Sequence, residues 1–294
     1  MKRSAFSLLV GIWIFTASVT LFSFEWPIQD PNIISTFGSP EGTSYKKGVD
    51  ISSSNDTVTP IEGGELILHA DAESNGVHDI PSPMGNMVVL QHERGIRSVY
   101  GHLQTPVAAE VPYYDVGDPL GKVGSSGIVN GQFLLLGIID SEVDRFVNPL
   151  LSLPSLTDTS GPQLNRVELH SDERSFVLED NKVIPQDKYQ VLIDAYDVSP
   201  ALESLQRMAP YSIKVYVNGE EQVTIDFESI AVSDWTAVPT TSLSVSAAEL
   251  YANEWSYRLN SVTLQPGEAV IEIFVNDFAG NEAARSYRLQ VTSR

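Results

Sequence analysis

Cysteine is absent from the 294 residues. That excludes disulfides, thiolate zinc sites, a cysteine nucleophile and a lipid-modified cysteine near the N-terminus. It suits an exported chain that folds without oxidative pairing. Positive charge is scarce: 18 Lys and Arg stand against 38 Asp and Glu, for a formal net charge of −20. Such a surface repels phosphate backbones and anionic headgroups, so nucleic acid is not an expected partner. Beyond about residue 25 no run is long and apolar enough to span a membrane. The chain also lacks a phosphate-cradling glycine loop with Lys-Ser/Thr, a Gly-x-Ser-x-Gly elbow and a zinc-binding His-Glu-x-x-His helix. No heptad pattern, internal repeat or convincing long amphipathic helix is visible.

What is present begins with Lys2 and Arg3, followed by an apolar stretch from about Ala5 to Phe22. A charged segment before an apolar one reads as a signal peptide, or as an uncleaved N-terminal anchor, over residues 1–24. Residues after it are expected outside the cytoplasmic membrane, in the periplasm or cell envelope. Hydrophobic residues make up 42% of the chain, enough for packed cores, and its length suits two domains. The stretch Pro154-Ser-Leu-Thr-Asp-Thr-Ser-Gly-Pro162 has turn residues and little to bury, which places a linker at 154–164 between domains at 25–153 and 165–294.

Both domains read as all-β. In the first, short apolar runs (Glu65–His69, Asn86–His92, Ser98–Leu103, Gly121–Gly124) are punctuated by glycines. Val88-Val89-Leu90 is continuously apolar, as in a strand covered on both faces. In the second, Tyr189–Tyr196 alternates, and Asn218-Gly219 between two apolar runs is a strong hairpin signal. Strands are also expected at Tyr257–Leu264, Ala269–Val275 and Arg285–Val291, with a short helix at Ser246–Asn253. Asp226, Glu228 and Asp234 are scattered acids without the spacing of a calcium loop.

Several separated motifs stand in one order: Ser35-Thr-Phe-Gly38, Lys47-Gly-Val-Asp-Ile51, Pro60-Ile-Glu-Gly-Gly64, Gly85-Asn-Met-Val-Val-Leu-Gln-His92, Tyr100-Gly-His-Leu103 and Val116-Gly-Asp-Pro-Leu-Gly-Lys-Val-Gly-Ser-Ser-Gly127. Together they resemble the M23 (lysostaphin/LytM-like) peptidases, which cut peptidoglycan peptides. The resemblance implies an antiparallel β-sheet domain and a zinc held by a His, an Asp four residues later and the second His of a His-x-His pair. It also implies two auxiliary histidines. Asp50 matches the Asp ligand, and His102 one auxiliary histidine. Lys46 stands where the first ligand should be, Phe133 at the helper His, and Leu135 at the last ligand. A protonated lysine has no lone pair, and one carboxylate does not make a zinc site. The remnant is therefore expected to bind no zinc, with a Lys46–Asp50 salt bridge on a loop as one filling. His69, His78 and His92 lack the spacing of a replacement set.

In the second domain, Leu264-Gln-Pro-Gly-Glu268 and Asn276-Asp-Phe-Ala-Gly-Asn281 are similar to turns of bacterial immunoglobulin-like and fibronectin type III-like sandwiches. The implied function is a catalytically inactive envelope protein that binds peptidoglycan or regulates a cell-wall hydrolase. Membrane contact is expected only through an uncleaved N-terminal segment. An active M23-type endopeptidase with a rebuilt site, and a purely structural or adhesive protein, remain as alternatives.

Overall fold

The computed structural model describes residues 24–71, 82–106, 111–198, 206–233, 236–239 and 245–293. Residues 1–23 of the expected signal segment, His78 and Asp234 lie outside these.

The described chain is nearly all β. The first region contains β1 (Asn32–Ser35), β2 (Val49–Ser52), β3 (Gly64–Ala70), β4 (Asn86–Gln91), β5 (Ile96–Pro106), β6 (Gly121–Val123), β7 (Leu134–Asp140) and β8 (Arg145–Val147). β3, β4, β5 and β7 are hydrogen-bonded in that order, each antiparallel to the next. The far edge of β7 pairs first with β2 and then with β8. Val88 and Leu90 on β4, Leu134 and Leu136 on β7, and Val49 and Ile51 on β2 are 2% exposed or less. These neighbours bury one continuous apolar layer, which is the main force holding the sheet.

The second region contains β9 (Gln163–His170), β10 (Asp187–Val198), β11 (Ser212–Val217), β12 (Glu220–Asp226), β13 (Ser229–Ser233), α1 (Ala247–Leu250), β14 (Ser256–Leu264), β15 (Gly267–Asn276) and β16 (Glu282–Thr292). β9, β10 and β14 form the middle of one sheet; β12, β11, β15 and β16 form most of the other. Lys182–Pro185 adds to β16 in parallel. The inward stripes Tyr189–Val191–Ile193–Ala195 on β10 and Ile271–Ile273–Val275 on β15 are completely buried. Alternation at period two is what lets each sheet bury one face. The turn at Asn218-Gly219 has φ of +52° and +79°, as the sequence predicts. The expected helix at Ser246–Asn253 shrinks to one turn. Ser246 donates its backbone N–H to the Glu249 carboxylate at 2.9 Å, and the chain then extends as a strand at Tyr251–Asn253.

The two regions share structure. β13 pairs with β8, so a segment from after β12 extends the first region's sheet. Gly38 has φ of +84°, and a Cβ there would lie 2.3 Å from Phe227 Cδ1. Thr36 Oγ1 donates to the Ala209 carbonyl at 2.9 Å, and Asn148 Nδ2 to that of Phe227 at 2.8 Å. The Tyr45 hydroxyl donates to the Val245 carbonyl at 3.0 Å.

Candidate functional site

Register brings the sequence-predicted residues together. Leu135 on β7 is paired on one side with Asp50 of β2 and on the other with Gly101 of β5. His102 follows Gly101, and Lys46 precedes β2 by three residues. Asp50 is therefore a strand residue, where the sequence suggested a loop.

Lys46 Nζ donates to Asp50 Oδ2 at 2.8 Å and lies 3.4 Å from Glu41 Oε1. The Lys46 and Asp50 side chains are 11% and 8% exposed. The pair is thus buried, and the low worth of surface pairs does not apply to it. Burial raises the Asp50 carboxyl to about 6, against the pull of Lys46 toward lower values. Asp50 Oδ1 is buried and accepts no hydrogen bond from the described residues. Desolvation outweighs the attraction of the ammonium here. Glu41 went unmarked in the sequence; it reaches the site through a small ribbon in which Pro40–Glu41 pairs with Ser44–Tyr45, and no spacing signalled this.

His102 owes its position to a β-bulge. Asn86 pairs with Leu103 and Val88 with Tyr100, so Gly101 and His102 together oppose Met87 alone. His102 has φ of +63°, and its backbone N–H donates to the Met84 carbonyl at 2.8 Å. Its Nδ1 lies 3.0 Å from the Ser126 carbonyl, which can only accept, so Nδ1 carries the proton and Nε2 the lone pair. Ser126 is itself fixed: its hydroxyl donates to the Leu103 carbonyl and accepts from the Asn86 N–H. Burial holds the His102 imidazole below its ordinary value, and Lys46 pushes the same way. The Phe133 ring meets it edge-on, 5.2 Å between centroids.

Leu135 fills the remaining space. A Cβ on Gly48 would lie 3.0 Å from Leu135 Cδ1, and one on Gly101 3.4 Å from Cδ2. The leucine methyls therefore rest over two glycines.

These residues do not fit zinc. One oxygen of Asp50 is bound to an ammonium, and Leu135 offers no lone pair. Among the described residues, Asp50 and His102 belong to no set of three His, Cys, Asp or Glu side chains with donor atoms within 4.8 Å of one another. His92 cannot complete one, being committed to Ser98 Oγ at 2.7 Å and the Gly63 carbonyl at 3.1 Å. His69 is on β3, in no such set.

The model of peptidase family M23 matches residues 44–149, and a second, undescribed family model matches residues 161–292. The murein hydrolase activator NlpD of Escherichia coli is 27% identical over 137 residues, 47% of this chain and 33% of that protein. The outer membrane antigenic lipoprotein B of Haemophilus influenzae is 29% identical over 104 residues, 35% of this chain and 23% of that protein. The chain thus spans a third or less of the length of these curated relatives. A zinc-containing peptidase from Vibrio cholerae aligns over 46% of this chain and 41% of its own, at 16% identity and TM-score 0.36. The catalytic domain of lysostaphin from Staphylococcus simulans aligns over 36% of this chain and 77% of its own, at 22% identity and TM-score 0.30.

Proposed function

Because residues 44–149 match the model of peptidase family M23, we propose that this chain is a non-catalytic relative of that family that acts in the cell envelope. It binds peptidoglycan or regulates a cell-wall hydrolase and cuts nothing itself. The observation that carries this reading is the buried Lys46–Asp50 ion pair, with Leu135 opposite Asp50. Hydrolysis of a peptide by a metal-activated water needs an open coordination position on a metal held by about three protein donors. Here one candidate donor is neutralised, one position is a hydrocarbon and another is an ammonium. Among the described residues, no set of side chains at this site remains to hold a metal and activate its water.

The relatives named above support the regulatory side: one is called a murein hydrolase activator. The second region, read as an immunoglobulin-like module, packs beside the site through Tyr45 and so adds surface next to it. Export to the periplasm follows from the charged-then-apolar N-terminus and belongs to this proposal.

The test uses purified chain lacking the N-terminal segment, intact sacculi and a cell-wall amidase. The expected result is co-sedimentation with sacculi or faster amidase turnover, with no peptide release by the chain alone, with or without added zinc. Chelator-sensitive peptide release by the chain alone would overturn the proposal. His102→Ala then separates roles: lost sacculus binding marks His102 as a ligand contact, and retained binding marks it as a packing residue.

A further inference from the structure

Two aspartates end otherwise apolar stripes on the sheets of the second region. On β10 every second residue faces inward, and the position after Tyr189, Val191, Ile193 and Ala195 is Asp197, 4% exposed. On β15 the stripe Ala269, Ile271, Ile273, Val275 is followed by Asp277, 2% exposed. A third carboxylate, Asp158, comes from the irregular stretch before β9. One carboxylate oxygen of each lies within 4.8 Å of the others. Three acids at that distance repel strongly in a buried place. No Lys, Arg or His among the described residues forms an ion pair with any of them.

Asp277 is hydrogen-bonded at both oxygens, and Asp158 and Asp197 at one each. Asp277 Oδ1 accepts from the Asn281 N–H and Oδ2 from Asn281 Nδ2, both at 2.8 Å. Asp158 Oδ1 accepts from the Ser160 N–H at 2.8 Å. Among the described residues, Asp197 accepts only from the next one, Val198 N–H to Oδ1 at 2.8 Å. Its second oxygen has no donor among the described residues, although the side chain is almost wholly buried. Asp158 and Asp197 line a cavity of about 250 Å³, shared with Trp26, Met208 and Phe278. Burial, with Asp277 and Asp158 adding to it, raises the Asp197 carboxyl to about 7. Carboxylates held this close together and largely out of water are costly as charges, and a proton or a cation relieves them.

We infer that Asp158, Asp197 and Asp277 form a binding site for a hard divalent cation of the calcium class. The donors are all oxygen, with no nitrogen or sulfur, which suits calcium rather than zinc. Two backbone oxygens stand beside them: Asn281 Nδ2 also contacts the Asp158 and Ser160 carbonyls, at 3.3 and 3.4 Å. Asn281 thus gathers the Asp158–Ser160 segment and Asp277 around one point. The cavity supplies room for the waters that complete six to eight ligands around calcium. The consequence is mechanical. Asp197 belongs to one sheet, Asp277 directly follows a strand of the other, and Asp158 lies in the connection between regions. A shared cation ties all three beside Trp26, whose Nε1 donates to the Pro154 carbonyl at 2.9 Å. Calcium would stiffen the joint between the two regions, independently of whether the first has any catalytic role.

The test is a calcium titration of the chelator-treated full chain, by calorimetry and by thermal unfolding, with magnesium as comparison. The expected result is one binding event with a dissociation constant on the order of 0.1–1 mM, as in extracellular calcium modules, and a Tm that climbs with calcium concentration. Asp197→Asn keeps the oxygen that accepts from Val198, and Asp158→Asn the one that accepts from Ser160. Each is expected to fold, unfold near the Tm of the calcium-free parent, and lose the calcium response. A wild-type Tm that ignores 10 mM calcium, about ten times the upper dissociation constant, would mean that the acids share a proton instead. A response retained in both variants would place the binding elsewhere on this acidic surface. Either outcome overturns the inference.

Discussion

Leu135 stands directly opposite Asp50 in the ladder between β7 and β2, so a hydrocarbon occupies the rung beside that carboxylate. Strand register fixes that position, and the register is shared by Leu134–Ile51 and Leu136–Val49 on either side. On the proposed reading the strand register of a metal site is in place and the donors at positions 46 and 135 are replaced. The double substitution Lys46→His and Leu135→His is expected to gain about one zinc per chain, read by elemental mass spectrometry after dialysis. The parent is expected to hold none, and each single variant much less than one. Stoichiometric zinc in the parent, lost on Asp50→Ala, would defeat the non-catalytic reading.

The Lys46–Asp50 pair makes stability depend on pH in a defined direction. Asp50 holds its proton more tightly in the folded chain, at about 6, than the ordinary 3.8. Its contribution to stability is fully present below about pH 3.8 and is lost as the pH rises through 6. Asp50→Asn should remove that slope, so the stability difference between parent and variant should change between pH 4 and 6 and level off above. Lys46→Met leaves the carboxylate without its counter-charge. Its cost should be small at pH 5, where Asp50 takes up a proton, and about 3–5 kcal/mol at pH 8. Urea unfolding at both values measures it. An equal loss at the two pH values would show that Lys46 acts through packing alone.

Gly38 carries two constraints at once. Its φ of +84° suits glycine, and the Phe227 ring lies 2.3 Å from where a Cβ would be. Gly38→Ala should cost at least about 2 kcal/mol, combining left-handed strain with overpacking. Adding Phe227→Leu should relieve part of the second cost and none of the first. If the second change recovers nothing in urea unfolding, the ring does not press on this turn, and the contact between regions is looser than the structure has it.

Alternation and turn chemistry made much of the fold legible. Tyr189–Tyr196 reads as a half-buried strand because its apolar residues fall at period two, and Asn218-Gly219 reads as a tight turn because both residues accept positive φ. The motif order around Gly38, Asp50, His102 and Gly127 was enough to place Lys46, Phe133 and Leu135 at the site. What the sequence hid depends on long-range packing. Pairing of Ser229–Ser233 with Arg145–Val147 joins segments some eighty residues apart, and no local pattern announces it. The bulge at Gly101 and His102 is set by a partner strand, so the aim of the histidine was not readable. Asp197 and Asp277 left a trace, each being a charge at the next inward position of an apolar alternation. Asp277 looked like an ordinary turn residue because Asn281 does bond it locally.

His102 offers a measurement that depends on the bulge. Its Nδ1–H donates to the Ser126 carbonyl, and that carbonyl cannot turn away because the Ser126 hydroxyl bridges Leu103 and Asn86. The neutral imidazole should therefore be the Nδ1-protonated tautomer, visible in nitrogen chemical shifts of the ring. Burial and the Lys46 ammonium both disfavour the charged ring, so His102 should titrate below the ordinary 6.5. Because its folded value is lowered, its contribution to stability is present above about pH 6.5 and is lost as the pH falls through the folded value. Lys46→Met removes one of the two causes and should move the titration upward without changing the tautomer. Ser126→Ala removes the bridge that fixes the carbonyl while leaving the carbonyl itself; the tautomer preference should weaken and His102 exchange broaden. A ring that titrates at or above the ordinary value in the parent would mean that the imidazole is not enclosed by Phe133 and the bulge as described.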